Sequence, residues 1–254
     1  MARLWIIPKV RMVLALSALT LPALIHYFSP ELILRLILIL SSTLILEYLF
    51  WRIRRIEPFL PSAGVVSALI IFLLADPNSS WYLTIIAVVI AIITKQFLRL
   101  KKSHIFNPAA SGLLIASIFG LPVTWWGVSW GLLLPLIATI LLGAWVSMYT
   151  IKQHRIILSF IISSIVAFNL IAGQFTTQSL LEFSVASVWF FTLIMLPEPM
   201  TAAHFPKTKI LYGILVGVLP FLLGPLFNLP VEPLLASLLI GNLVFFIVEK
   251  KEKF

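Results

Sequence analysis

Two short stretches concentrate the polar chemistry of this chain. The first is Lys101-Lys102-Ser103-His104-Ile105-Phe106-Asn107-Pro108-Ala109-Ala110-Ser111-Gly112. Asn followed by Pro is a helix start: the Asn side chain caps the first turn, and Pro there removes no needed donor. The remaining free N–H groups of such a turn attract an anion, and Lys101, Lys102 and His104 add positive charge. Ala109, Ala110, Ser111 and Gly112 are small enough to admit a neighbouring helix or a flat ligand. The second stretch is Phe190-Phe191-Thr192-Leu193-Ile194-Met195-Leu196-Pro197-Glu198-Pro199-Met200-Thr201. Glu198 stands between two prolines, in backbone that cannot continue a helix. A carboxylate in irregular backbone near membrane depth needs partners, and it can hold a cation or hydrogen-bond a ligand. A capped helix with basic anchors and a solvated loop acid account for the same residues without any ligand. A third stretch, Gly173-Gln174-Phe175-Thr176-Thr177-Gln178-Ser179, is a polar turn with three hydroxyls. No residue identifies itself as catalytic, and no cluster has metal-ligand spacing.

The elements that must position these residues are hydrophobic spans. The chain is 61% apolar and 11% charged, with a mean hydropathy of +1.11. A soluble domain of that composition would have no polar surface, so the chain reads as all-α and polytopic in a membrane. The spans expected are 12–29, 32–50, 62–75, 81–98, 108–120, 128–149, 156–172, 182–196, 209–227 and 233–248. They fill residues 1–254 as a single integral membrane domain, with lipid around it. Met1 to Arg11 is basic and precedes an apolar run without a small-residue cleavage site, which predicts a retained first helix.

Charge supports the count. Of the 18 Lys and Arg residues, all except Arg35 fall on one side of the zigzag these spans make. That side is cytoplasmic by the positive-inside rule, which puts both termini in the cytoplasm of a cell with an inner membrane. The net charge of +9 is thus an orientation signal spread over short loops, and nucleic acid is not an expected partner. Arg35 lies four residues after Glu31 and is expected to pair with it or to reach the interface. Glu47 is expected at the interface near the end of the second span. Trp125, Trp126 and Trp130 read as interfacial belt residues, and Asn169 and Asn242 as groups that bond across helices. The absence of Cys removes disulfides, Cys-ligated iron–sulfur clusters and c-type haem from this chain.

Spans three, five and eight are short. Fourteen helical residues reach roughly 21 Å, against a hydrocarbon core of about 30 Å. Span three ends in Asp76-Pro77 and span eight in Glu198-Pro199. Span five opens Asn107-Pro108 and continues to Leu113-Leu114-Ile115, while span ten opens Glu232-Pro233 and continues to Leu238-Leu239-Ile240. Both matches are five spans apart. An odd offset reverses direction, so the expectation is two inverted five-helix repeats, about 12–120 and 128–248. Their interface at spans three, five, eight and ten is the expected ligand site.

The run His104 to Gly112, the stretch Phe191 to Thr201, Lys209 and Tyr212-Gly213-Ile214-Leu215-Val216-Gly217 together resemble the NqrB/RnfD family. Pro61-Ser62-Ala63-Gly64 and Gly241-Asn242 extend the resemblance over most of 58–248. These are membrane subunits of Na⁺-pumping NADH:quinone reductase and of Rnf ferredoxin:NAD⁺ complexes. The resemblance implies a flavin-dependent electron-transport subunit, not catalytic alone, within a redox-driven oxidoreductase or translocase coupled to Na⁺ or H⁺ movement. It implies FMN or riboflavin as cofactor. Family members esterify FMN to a Thr in an external Asp-x-x-Ser/Thr-Gly-Ala-Thr/Ser loop. Here Gly173 replaces the Asp and Thr177-Gln178 replaces Gly-Ala; Thr176 and Ser179 keep the hydroxyls. Non-covalent flavin is therefore the expectation. His104, Asn107, Ser111, Glu198 and Thr201 are the cytoplasmic candidates for cofactor contact, and Thr176, Thr177 and Ser179 the external ones. With no Gly-rich dinucleotide fingerprint, the chain is expected to take electrons from a separate soluble flavin or NAD(P)H reductase, or from other electron-transport subunits. The alternative is a non-redox channel or transporter for a small solute on the same inverted-repeat fold.

Overall fold

In a computed structural model that describes residues 7–55, 62–100, 103–131, 133–172, 185–227 and 232–251, the chain is an all-α helical membrane protein. Helices α1 to α5 are Pro8–His26, Pro30–Arg54, Ser62–Leu74, Trp81–Phe97 and Pro108–Ile118. A two-rung antiparallel hairpin, β1 (Arg99–Leu100) and β2 (Ser103–His104), joins α4 to α5. Helix α6, Leu134–Ala144, runs into a π-helical segment, Trp145–Thr150. Helix α7 is His154–Ala172, and α8, Ala186–Phe190, also continues as a π-helical segment, Phe191–Met195. Helices α9 and α10 are Pro206–Phe227 and Pro233–Lys251.

Helices α1, α2, α7, α9 and α10 are each long and apolar enough to cross a membrane. Their outward residues, such as Leu34, Ile37, Ile45, Leu170 and Leu211, are exposed, which suits lipid contact and not water. Local chemistry sets the helix ends. Ser29 caps α2 by accepting the Leu32 N–H at 3.2 Å, with Pro30 and Glu31 in the first turn and Arg52 and Arg54 in the last. Each choice complements the helix dipole. Helices α3 and α8 are the core. Every side chain from Ala68 to Leu74, and from Phe190 to Leu196, is buried except at their ends, the mark of a helix with protein all round.

Two halves repeat the same packing. In one half α1 packs on α3, α2 on α4, and α4 on α5; in the other α6 packs on α8, α7 on α9, and α9 on α10. The halves touch through equivalent helices, α1 with α6 and α5 with α10, as a two-fold relation requires. The start of α5 meets the second part of α10: the Asn107 N–H donates to Asn242 Oδ1 at 3.0 Å. The matched starts are also equivalent in detail. Asn107 Oδ1 accepts the Ala110 N–H at 3.0 Å, and Glu232 Oε2 accepts the Leu235 N–H at 2.7 Å.

Four sequence expectations change. Helix α6 begins at Leu134 and not at 128, because residues 122–130 fold back over the end of α3. Trp125, Trp126 and Trp130 are buried in that fold and form no belt; Trp126 Nε1 donates to the Phe72 carbonyl at 2.8 Å. Arg35 does not pair with Glu31. Its guanidinium binds the loop after α3, donating to the Asp76 carbonyl at 3.2 Å, Ser79 Oγ at 3.1 Å and Thr84 Oγ1 at 3.0 Å. Glu47 does not reach the interface; it is buried in an ion pair with Lys95 of α4. Of the two asparagines, Asn242 bonds across helices, while Asn169 Nδ2 donates to Ile165 of its own helix.

Candidate functional site

A cavity opens at the end of the bundle that carries Lys9, Arg54, Lys95 and Arg99, here called the basic end. The non-atom space there, open solvent at the mouth included, is about 660 Å³. Met12 of α1, Val66 and Ile70 of α3, Ile151, Ile194 and Met200 supply apolar walls. Lys95, His104, Asn107 and Glu198 supply the polar groups, and Lys9 stands at the mouth.

His104 reaches the cavity through the hairpin. The pairing of Arg99 with His104, and the Ile105 N–H donating to the Leu98 carbonyl at 2.9 Å, turn the chain back across the end of α4. The imidazole bonds to the backbone of Lys95, and burial, followed by the positive charges of Lys95, Lys9 and Arg99, pushes its pKa down to about 4. It is neutral at physiological pH. Its Nδ1 is buried and has no partner in the protein. A bare buried ring nitrogen asks for a hydrogen-bond partner.

Asn107 is 2% exposed and joins three elements. It caps α5, its N–H binds Asn242 of α10, and its Nδ2 donates to the Met195 carbonyl at the end of α8, at 3.5 Å. Asn242 in turn donates from Nδ2 to the Thr201 carbonyl at 3.2 Å and to Tyr212 Oη at 2.8 Å. One continuous set of hydrogen bonds thus holds the Asn-Pro helix start against the Glu198 turn. The π-helical segments bring α6 and α8 together at the same level, where Ser147 Oγ donates to the Leu193 carbonyl. Such segments are frequent where a helix must open for function.

Glu198 is half-buried and borders the cavity. Burial raises its pKa to about 7, with the Thr201 hydroxyl and the charges of Lys9 and Lys95 pulling it back down. Thr201 Oγ1 donates to Glu198 Oε2 at 3.2 Å. Lys95 lines the wall opposite with its ammonium on Glu47. Gly64 makes room for this pair, since a Cβ there would lie 2.6 Å from the Glu47 carboxylate carbon.

The structure brings His104, Asn107 and Glu198 together around one space, with Thr201 directly behind Glu198. Ser111 stays outside: its hydroxyl donates to the Asn107 and Pro108 carbonyls of its own helix, at 2.9 and 3.0 Å. Thr176, Thr177 and Ser179 lie outside the described residues. The expected lining by spans three, five, eight and ten is met by α3, α5 and α8. Helix α10 sits behind the wall through Asn242, and α1, α4 and the end of α6 take its place. Sequence reasoning missed Lys9, Glu47 and Lys95 because it sorted them as loop or interface charges. The available signal was two opposite charges within apolar runs of neighbouring spans, which membranes tolerate only when they are paired or used. No protein-family model matches the chain, and no curated protein matches it.

Proposed function

We propose that this chain is the membrane subunit of a flavin-dependent electron-transport complex of the NqrB/RnfD kind, binding FMN or riboflavin without a covalent bond. The observation that carries this reading is the cavity itself, built where the two stretches that resemble that family meet. Its walls suit a flat, largely apolar ring system. The bare Nδ1 of His104 and the Glu198 carboxylate are acceptors for a ring N–H, and Asn107 and Lys95 are donors for the ring's carbonyl edge. Lys9 at the mouth is placed for a phosphate. Bound flavin would supply the electron-transfer chemistry, and the protein would supply orientation, water exclusion and charge. In this reading the basic end faces the cytoplasm of a cell with an inner membrane, as the distribution of Lys and Arg argues. A separate soluble flavin or NAD(P)H reductase, or another subunit of the complex, delivers the electrons there.

The test is the absorbance and fluorescence spectrum of detergent-purified protein, before and after acid precipitation. Flavin released to the supernatant is the expected result, and Asn107→Leu and Glu198→Ala should each lower its content. Flavin retained in the pellet would instead point to the loop carrying Thr176, Thr177 and Ser179. A folded, colourless protein would sink the redox reading. It would favour a channel or transporter for a small solute, for which the buried Glu47–Lys95 pair on the cavity wall is the supporting observation.

A further inference from the structure

The charges around the cavity do not balance in pairs. On the inner wall Lys95 bonds Glu47, and both side chains are buried. Across the space stands Glu198, a second carboxylate close enough to Lys95 to feel its charge. One lysine thus faces two carboxylates. The other groups that bear on Glu198 are Lys9 of α1 at the mouth, neutral His104 of β2, the Thr201 hydroxyl and the Tyr212 phenol of α9. Lys9 is exposed, so solvent weakens its hold on the interior.

Among the described residues the buried ion pair occurs in one half only. It joins α2 to α4, and the equivalent pair in the other half, α7 and α9, closes without charge. There Ser164 Oγ donates to the Gly217 carbonyl at 3.1 Å, and Gly213 and Gly217 let the backbones touch. A buried ion pair is weak evidence for stability, and this one, found in one half only, reaches the cavity wall through Lys95. A role in the cavity explains that placement.

We propose that Glu198 is an exchangeable proton-binding site of the cavity, held against the fixed Glu47–Lys95 ion pair. With Lys95 committed to Glu47, an ionised Glu198 leaves one net negative charge in a space of low dielectric, and a single proton on Glu198 cancels it. A proton fits better than a metal cation. Thr201 Oγ1 donates to Glu198, Ser67 Oγ donates to the Ala63 carbonyl, and Asn107 Oδ1 accepts the Ala110 N–H; among the described residues no group of three His, Cys, Asp or Glu side chains could hold a metal ion there. The site does not depend on flavin: any negative charge brought into the cavity would raise its proton affinity.

The experiment is infrared difference spectroscopy of the full-length protein in lipid vesicles, titrated with pH, following the carbonyl stretch of protonated carboxyl groups. The expected result, read throughout in a Glu232→Gln background because burial also raises Glu232 to about 7, is one carboxyl group titrating near pH 7 that disappears in Glu198→Gln. In Glu47→Gln, Lys95 is released to turn toward Glu198, and the midpoint should fall by about one unit, a tenfold loss of proton affinity. A background protein with no neutral-range carboxyl, or one whose signal survives in Glu198→Gln, overturns the assignment whether or not the second variant folds. A midpoint unmoved in folded Glu47→Gln removes the role given to the ion pair. A midpoint that falls when Na⁺ replaces a large organic cation at fixed ionic strength would show a metal cation competing for the carboxylate, and overturns the exclusive proton site.

Discussion

The two central helices occupy equivalent places and end in the same way, with an acid followed by proline, yet one end is sealed and the other is open. At the end of α3 every freed carbonyl has a partner. Phe72 accepts from Trp126 Nε1, Leu73 from the Gly127 N–H at 2.9 Å, and Leu74 from the Thr124 N–H at 2.9 Å. Arg35 then fastens the following loop. At the end of α8 the corresponding carbonyls are held by side chains from elsewhere, Ser147 and Asn107, and the acid faces a cavity. The two halves use one packing pattern twice. Among the described residues they differ in the π-helical breaks of the second half and in the buried Glu47–Lys95 ion pair of the first.

If that asymmetry is functional, breaking the ion pair should cost far more than removing it. Lys95→Met leaves Glu47 buried without a partner and should lower stability by about 3–5 kcal/mol. Replacing both residues, Glu47→Leu with Lys95→Met, should come within about 1 kcal/mol of the parent, because apolar side chains suit that site. Thermal unfolding in detergent reads both. A double variant as unstable as the single one would mean that the pair holds α2 and α4 together after all, and the contrast with α7 and α9 would fail.

Next in size is a pH effect at the open end. The folded-state pKa of Glu198, about 7, lies above its ordinary value of 4.5. The folded protein therefore binds a proton that the unfolded chain has released. Stability is full below pH 4.5 and declines as pH rises through 7. Glu198→Gln removes its share of the decline, the rest belonging to Glu232, whose pKa burial also raises to about 7, so the variant should exceed the parent by at most about 3 kcal/mol at pH 8 and match it at pH 4. Equal pH profiles for the two proteins would show that Glu198 is solvated, as a loop acid would be.

The skeleton was legible in the sequence to a degree that the site was not. Apolar runs, Pro and Asn at helix starts and the one-sided Lys and Arg residues are local signals, and the ten helices begin and end within a few residues of where those signals put them, with α6 the main exception. The two Pro-x₄-Leu-Leu-Ile starts marked equivalent helices because equivalent backbone needs equivalent caps. Which polar groups meet is a tertiary matter. Glu47 and Lys95 are 48 residues apart, and nothing in either run shows that they share a wall. Trp126 looked like a belt residue because a tryptophan near a span end usually is one; here an orphan carbonyl of α3 claimed it.

The helix pair without charges gives the third test. A Cβ on Gly213 would lie 2.6 Å from the Ile156 carbonyl oxygen and 3.0 Å from the Phe160 nitrogen, both backbone atoms that cannot swing away. Gly213→Ala should therefore part α7 from α9 and cost about 1–3 kcal/mol, without moving the Glu198 titration. If that midpoint shifts as well, the two halves are coupled more tightly than the shared bridges through α1, α6, α5 and α10 imply.

The smallest effect separates the two ends most cleanly. Trp126→Phe keeps the ring that packs edge-on against Phe72, with centroids 5.2 Å apart, and removes only the N–H that serves the Phe72 carbonyl. One hydrogen bond at a sealed end should be worth about 1 kcal/mol and should leave flavin content and proton titration unchanged. Asn107→Leu should disturb both, because the same side chain caps α5 and, together with its own N–H, positions the Met195 carbonyl and Asn242. A Trp126→Phe protein that loses ligand or shifts the Glu198 midpoint would show that the sealed end also takes part in the function, and the division between a structural end and a working end would have to be redrawn.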